Sequence, residues 1–207
     1  FHQKGIKCIP VVPNVKLAQR VQAHGADALV VEGMEAGGHD GKLTLMALLE
    51  NVLPDIEIPV IAAGGITDGR GIAASLLMGA SGVQMGTRFL LAEECSLHPK
   101  AKDAIMAAAD TDSVVTGFTT GDSVRGLKNR FSDRYLKAEY SGASPDELSS
   151  ISAGTTKRGA LFGDTENGFI LAGMSLTHLT KIQSAKEIVE ELVSETERRL
   201  AAAPGLI

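Results

Sequence analysis

The sequence is poor in the residues that would mark several classes of protein. It has no tryptophan and only two cysteines, Cys8 in an apolar run and Cys95 in a polar stretch, so it predicts no disulfide framework and favours a reducing cytoplasm. No apolar run approaches the ~20 residues of a membrane helix, and no signal peptide is recognised. The net charge of -5 predicts neither nucleic acid nor an anionic membrane as a partner.

What is present is an ordinary globular composition, with 44% hydrophobic residues in 207. Four short apolar runs recur in the first half of the chain, at residues 7–12, 28–31, 59–63 and 82–85. Helical patterns separate them, with Asn14 and Asp68 as candidate N-caps. Because the runs are apolar throughout rather than alternating, they are typical of parallel strands buried on both faces.

Two architectures fit a series of βα units, an open doubly wound sheet and a (β/α)₈ barrel. Gly64-Gly65 and Gly86-Thr87 each follow a strand directly, in consecutive units. A barrel binds phosphate with the loops after its last two strands. We therefore expect an α/β fold of the (β/α)₈ TIM barrel family, with strands five to eight present and an extension that starts near His98.

The extension gives weaker signals. Helices are expected at about residues 98–109 and 154–163, whereas residues 111–126 give no clear prediction and residues 141–152 read as a loop or short helix. Residues 184–203 predict an amphipathic helix. Its inward face is expected to carry four aliphatic residues, Ile188, Val189, Leu192 and Val193.

The segment from Glu32 to Gly41, Glu-Gly-Met-Glu-Ala-Gly-Gly-His-Asp-Gly, follows a buried strand as a predicted loop. Glycines let the backbone take a positive φ or approach a ligand closely. A histidine there titrates near neutral pH in the ordinary case, and loops at the carboxyl ends of strands carry the chemistry of α/β enzymes. His39 is therefore a candidate active-site residue. Glu32 either contacts a polar ligand group or pairs with a basic side chain, and Glu35 is expected to be exposed.

The two glycine turns have a structural and a functional interpretation. Gly64-Gly65 is either a plain tight turn or an anion site at the start of a helix, where backbone amides and the helix dipole favour negative charge. Gly86-Thr87 adds a hydroxyl and further amides, which favours a phosphate cradle. Arg88 either pairs with that phosphate or holds a neighbouring carboxylate, and the second, structural role is favoured. No spacing indicates zinc or a Ser-His-Asp triad.

Three motifs carry a resemblance to a known family: Glu32 to His39, Ile61 to Ile66 (Ile-Ala-Ala-Gly-Gly-Ile) and Val83 to Phe89 (Val-Gln-Met-Gly-Thr-Arg-Phe). In this order and spacing they resemble the flavin-dependent enoyl-acyl-carrier-protein reductase II family, a relative of the nitronate monooxygenases. The Glu-Gly-Met-Glu form of the first motif is more similar to the reductases. The likeness extends from about Lys7 to the C-terminal helix.

The resemblance implies an FMN-binding barrel with a small lid. By residue, it places the FMN phosphate on Gly64, Gly65, Gly86 and Thr87, and the ribityl chain on Gln84 and Met85. It places the flavin border on Glu32, Ala36 and Gly37, with His39 as the catalytic histidine and no metal. The implied domains are 1–110, the C-terminal half of the FMN-binding barrel; 111–167, a lid; and 168–207, a return segment and C-terminal helix.

The implied activity is reduction of trans-2-enoyl thioesters on acyl carrier protein or coenzyme A, with NADH or NADPH, in fatty acid biosynthesis. The alternative is oxidation of alkyl nitronates with O₂. Because the family's first four strands are not in this sequence, the resemblance also implies that the isolated chain is inactive and needs an N-terminal half-barrel or a second copy. Relatives often have glutamine where this chain has Met174.

Overall fold

A computed structural model describes residues 1–206. Its strands are β1 (Val11–Val12), β2 (Leu29–Glu32), β3 (Gly38–His39), β4 (Val60–Ala63), β5 (Gly82–Gln84), β6 (Ser113–Thr116) and β7 (Val124–Leu127). Its α-helices are α1 (Val15–Ala23), α2 (Leu45–Val52), α3 (Gly69–Leu77), α4 (Pro99–Ala107), α5 (Arg130–Tyr140), α6 (Pro145–Ser152), α7 (Thr155–Phe162) and α8 (Ala185–Ala202).

The chain forms two compact units. The first contains residues 1–35 and 41–85 and the chain from Lys186 onward, and the second contains residues 36–40 and 86–185. This division by compactness does not test the predicted domains 1–110, 111–167 and 168–207, which were defined by their implied functions. Those domains stay a prediction.

The first unit is built on a parallel sheet in the order β1-β2-β4-β5. Its strands are neighbours in the order in which they occur along the chain, as in a barrel, whereas a doubly wound sheet reverses direction at a switch point. The helices α1 and α2 pack on this sheet through aliphatic side chains that include Leu48, Leu49 and Val52. The order of these four strands is the one expected for consecutive strands of a (β/α)₈ barrel.

Local signals placed the helices of this unit well. Asn14 caps α1 by accepting a hydrogen bond from Leu17 N, and Asp68 caps α3 by accepting from Arg70 N and Gly71 N. The first strand is shorter than predicted, because only Val11–Val12 of residues 7–12 is a strand. Pro10 has no N–H to donate to a ladder, which limits how far a strand extends through it.

The second unit contains an antiparallel sheet in the order β3-β7-β6. Strands β6 and β7 form an antiparallel hairpin, and they lie almost entirely within residues 111–126, for which no clear prediction was made. Helix α6 was also underestimated: Ser144 and Glu147 form a reciprocal capping box, with Pro145 at the first helical position. Helix α7 lies within the predicted residues 154–163.

The C-terminal helix α8 is present as predicted, but two of the four residues that were predicted to face inward do not. Ile188 and Leu192 are buried, as is Thr196 one turn later. Val189 and Val193 are about half exposed, at 47% and 50%. The buried positions therefore follow an i, i+4, i+8 stripe, and the residues next to it turn by 100° toward solvent.

The structure also describes the state of the two cysteines and the length and polarity of the helices. Cys8 and Cys95 are both free. Within the described residues, the helices are too short or too polar to span a bilayer.

Candidate active site

The carboxyl edge of the parallel sheet brings together the predicted residues of the first unit. Glu32 pairs with Ala63, and Ala63 pairs with Gln84, so the three strands end at the same level. The turn Gly64-Gly65 leaves β4 at this edge, and Met85 follows β5 there. Parallel α/β sheets place their ligands at this end of the strands.

The Gly64-Gly65 turn needs glycine at both positions. Their φ angles are +100° and +71°, a region that side-chain-bearing residues rarely adopt. The amides in the first turn of the helix that follows have acceptors within the protein, and the predicted anion site at Gly64-Gly65 itself stays a prediction. Arg70 N and Gly71 N donate to Asp68, and Gly69 N donates to Glu195 Oε2 at 2.9 Å, so the protein's own carboxylates occupy the first turn of α3.

Glu35 was predicted to be exposed, but it caps helix α2. Both of its carboxylate oxygens accept from Leu45 N, at 3.0 and 2.9 Å, and the residue is half-buried. Thr44, the residue that directly precedes α2, makes no side-chain cap bond to this helix. A carboxylate at a helix N-terminus also interacts favourably with the helix dipole, which explains why Glu35 takes this place.

In the second unit, the chain near residue 37 lies against the return segment near residue 172. A Cβ on Gly37 would lie 2.5 Å from the carbonyl carbon of Ala172, so only glycine fits this approach. The next residue, Gly38, has the positive φ, +95°. Thr87 joins the same segment, because its Oγ1 accepts from Gly173 N at 2.9 Å. Gly37 and Thr87 are thus placed around one stretch of backbone, and the flavin roles of Ala36, Gly37 and Thr87 stay predictions.

His39 lies on β3, in the segment that was predicted to be loop. Its side chain is 77% exposed, and its Nε2 is 3.2 Å from Oδ1 of Asp122, which is equally exposed. The strand pairs with β7, where His39 lies opposite Val124. The imidazole is therefore accessible to a ligand while its backbone belongs to a sheet.

Next to His39 is a buried ion pair that sequence reasoning missed. The side chains of Asp40 and Arg125 are 3% and 5% exposed, with Oδ2 and NH2 3.5 Å apart. Burial raises the pKa of the Asp40 carboxyl, and the charge of Arg125 opposes that rise. Asp40 directly follows the histidine in the sequence, which was the available signal, but Arg125 lies in a segment without a clear prediction.

Arg88 has the structural role that was favoured. It is 7% exposed, and its guanidinium donates to the side-chain carbonyl of Gln183, an amide rather than the carboxylate that had been considered. His98 caps helix α4, since its Nδ1 accepts a hydrogen bond from Lys100 N at 3.2 Å.

His2, Cys8 and Asp27 are close enough to share an ion, and they are the group of this kind found among the described residues. The carboxylate already has other partners. Asp27 accepts from Lys7 Nζ at 2.7 Å and from Cys8 N at 2.8 Å, and His2 Nε2 lies 2.9 Å away. A surface ion-pair network accounts for this cluster.

Comparison with known proteins decides the family. The model of the family described as nitronate monooxygenase matches residues 1–195. The chain belongs to the nitronate monooxygenase family. The nitronate monooxygenases are the relatives of the reductase family that the three sequence motifs resemble.

Solved structures confirm the predicted fold and the predicted family resemblance. FabK from Thermotoga maritima superposes with a TM-score of 0.95 at 39% identity, over 100% of this chain and 66% of that one. A nitroalkane oxidase from Streptomyces ansochromogenes superposes with a TM-score of 0.84 at 30% identity, over 98% of this chain and 60% of that one. The chain therefore has the fold of part of a (β/α)₈ barrel of this family.

Curated relatives agree. A Staphylococcus aureus protein described as a probable nitronate monooxygenase is 35% identical over 205 residues, covering 93% of this chain. The chain spans about 57% of the length of that relative.

Proposed function

We propose that the protein to which this chain belongs is an FMN-dependent reductase of trans-2-enoyl thioesters, carried on acyl carrier protein or coenzyme A and reduced with NADH or NADPH. The observation that supports this choice is the likeness to FabK, an enoyl-acyl-carrier-protein reductase II, which exceeds the likeness to the nitroalkane oxidase in both identity and TM-score. The motif Glu-Gly-Met-Glu at residues 32–35 points the same way.

The residues present fit an FMN phosphate. Gly64 and Gly65, at the end of β4, have positive φ angles and no side chain of their own, which allows a ligand to approach the backbone closely. A Cβ on Gly86 would meet no atom within 4 Å, so the backbone there is open to a ligand. We assign the phosphate to these three glycines and Thr87. When bound, FMN would supply the hydride chemistry that no side chain provides.

His39 is assigned the proton transfer. As an enoyl thioester is reduced, negative charge gathers on the thioester oxygen and a proton must reach the α-carbon. An exposed imidazole on a strand is suited to deliver that proton. Glu32, Ala36, Gly37, Gln84 and Met85 are assigned to contacts with the cofactor.

The test of this role is replacement of His39 in the full-length, FMN-loaded protein. We expect His39→Ala to retain FMN absorbance and to lower NADH-dependent turnover of crotonyl thioester by roughly 10²- to 10⁴-fold, the usual contribution of a general acid. His178→Ala, an exposed histidine elsewhere, is the matched control and should be fully active. A His39→Ala protein with wild-type turnover would end the assignment.

A second candidate, oxidation of alkyl nitronates with O₂, is supported by the family model and by the S. aureus relative. In that reaction His39 would remove the α-proton, and no nicotinamide would be needed. Stopped-flow reduction of the bound flavin separates the two candidates. Fast reduction by NADH supports the reductase, and fast reduction by a nitronate with no response to NADH supports the oxidation.

We also propose that the chain works with a further barrel half, either an N-terminal segment or a second copy, and that alone it is inactive. The support is its coverage of about 57% of the curated relative. Size-exclusion mass and flavin absorbance of the isolated 207-residue chain test this. A yellow, active monomer would refute it.

A further inference from the structure

The backbone that carries His39 has few bonds of its own to hold it. Strand β3 has only two residues, and it lies at the edge of the three-stranded sheet. One of the two is Gly38, with a φ of +95°. After the strand, Asp40 N donates to Ser123 O at 3.2 Å. So short an edge strand tends to open locally unless side chains hold it.

The side chain next to His39 provides such a hold. The Asp40 carboxylate faces the Arg125 guanidinium on β7, and both groups are almost fully buried. The same guanidinium reaches β6, because its NH1 donates to Ser113 Oγ at 3.2 Å. Polar contacts therefore link the residue that directly follows β3 to β7 and, through Arg125, to β6.

The exposed neighbour of His39 is less suited to this task. Asp122 contacts the imidazole from the β6–β7 turn, but both side chains are 77% exposed. Ion pairs in water hold geometry weakly, since solvent and salt screen them and side-chain entropy opposes them. The positioning must come mainly from the buried side.

The buried pair is a poor device for stability alone. Asp40 Oδ1 is buried and has no hydrogen-bond partner within residues 1–206. Buried ion pairs often add no net stability over well-packed apolar residues. A pair whose carboxylate remains half-satisfied is explained better by the geometry that it imposes on the adjacent residue.

We propose that Asp40 and Arg125 are positioning residues that fix strand β3 on β7 and so hold the His39 imidazole in its working place. This rests on the proton-transfer role of His39 proposed above. Neither residue needs to touch the substrate.

The experiment compares the full-length, FMN-loaded wild type with a double variant, Asp40→Leu with Arg125→Met, which replaces both charges by apolar groups and avoids leaving one charge alone. Hydrogen exchange of the peptide that carries β3 is measured along with turnover of crotonyl thioester. We expect the double variant to melt cooperatively, with exchange in β3 at least about tenfold faster. A misplaced catalytic group should lower kcat roughly 10- to 100-fold with KM nearly unchanged.

Arg125→Lys, which keeps the cation, should recover part of both effects. Asp133→Asn, at an exposed site in the first turn of α5, is the control and should change neither. Wild-type exchange in β3 of a folded double variant overturns the proposal, whatever its activity. Faster exchange in a protein whose wild type turns over no enoyl thioester supports the positioning of His39 and refutes the proposed function instead.

If the double variant does not fold, the single variant Asp40→Asn decides, because it removes the buried negative charge with little change in side-chain shape. Faster exchange confined to β3 and a lower kcat support the proposal, and wild-type values for both overturn it.

Discussion

Asp27 in the first unit and Asp40 in the second both face a cation, but their pKa values move in opposite directions. Lys7 Nζ donates to Asp27 at the surface, and this bond, with the further bond from Cys8 N, holds the pKa of the Asp27 carboxyl well below its usual range. Asp40 is buried, and its burial raises its pKa despite Arg125. A neighbouring positive charge is therefore not what distinguishes the two sites.

The two carboxyl groups differ in the hydrogen bonds that they accept and in their exposure to water. Asp27 accepts hydrogen bonds from Lys7 Nζ and Cys8 N, and its side chain is 23% exposed. These donors and the surrounding water stabilise its charged form. Asp40 has 3% exposure and one oxygen without a partner. Desolvation disfavours the charged form of a carboxyl group, and hydrogen bonds favour it. Desolvation therefore dominates at Asp40 and raises its pKa, whereas hydrogen bonds dominate at Asp27 and lower its pKa.

The comparison is tested most strongly by removing the buried cation. Arg125→Met would leave the Asp40 carboxylate buried without a counter-charge, and we expect a loss of about 3–5 kcal/mol in the free energy of unfolding at pH 7. Urea denaturation gives this value. Adding Asp40→Leu should restore most of it. If the double variant is as unstable as Arg125→Met, the loss comes from packing rather than from an uncompensated charge.

A smaller effect is the pH dependence of the two carboxylates, measured as the stability of Asp40→Asn and Asp27→Asn relative to wild type. A raised folded-state pKa means that the contribution of Asp40 is present below the ordinary Asp value of about 3.9 and is lost as pH rises through the folded value. A lowered pKa means that the contribution of Asp27 is present above about 3.9 and is lost as pH falls through the folded value.

The two variants should therefore show opposite trends. From pH 3 to pH 7, Asp40→Asn should gain stability relative to wild type and Asp27→Asn should lose it. Urea midpoints taken across this range measure both trends. Parallel trends would show that the two aspartates do not differ in the way described.

Sequence patterns predicted what depends on neighbouring residues. Asn14 and Asp68 cap their helices because a cap bonds to amides two or three residues away. The parallel strands were visible because burial on both faces leaves continuous apolar runs. The glycines at residues 64 and 65 were singled out correctly as residues of a strand-ending turn.

What depends on distant partners was not predicted. Strand β3 exists because Gly38 and His39 pair with β7, far along the chain, and nothing in two residues indicates a strand. Glu35 was expected at the surface because glutamate usually is exposed, yet it caps α2 across a turn. Asp40 and Arg125 were missed for the same reason, since buried charges contradict the usual preference and become intelligible only as a pair.

The smallest expected effect completes the comparison and uses the surface site. Lys7→Met removes the ammonium from Asp27, but the carboxylate keeps its bond from Cys8 N, its contact with His2 and its exposure to water. Exposed ion pairs contribute little and are screened by salt. We expect the urea midpoint of Lys7→Met to match that of wild type at low and high salt. A decrease as large as that of Arg125→Met would mean that exposure does not separate the two sites, and the contrast between them would fail.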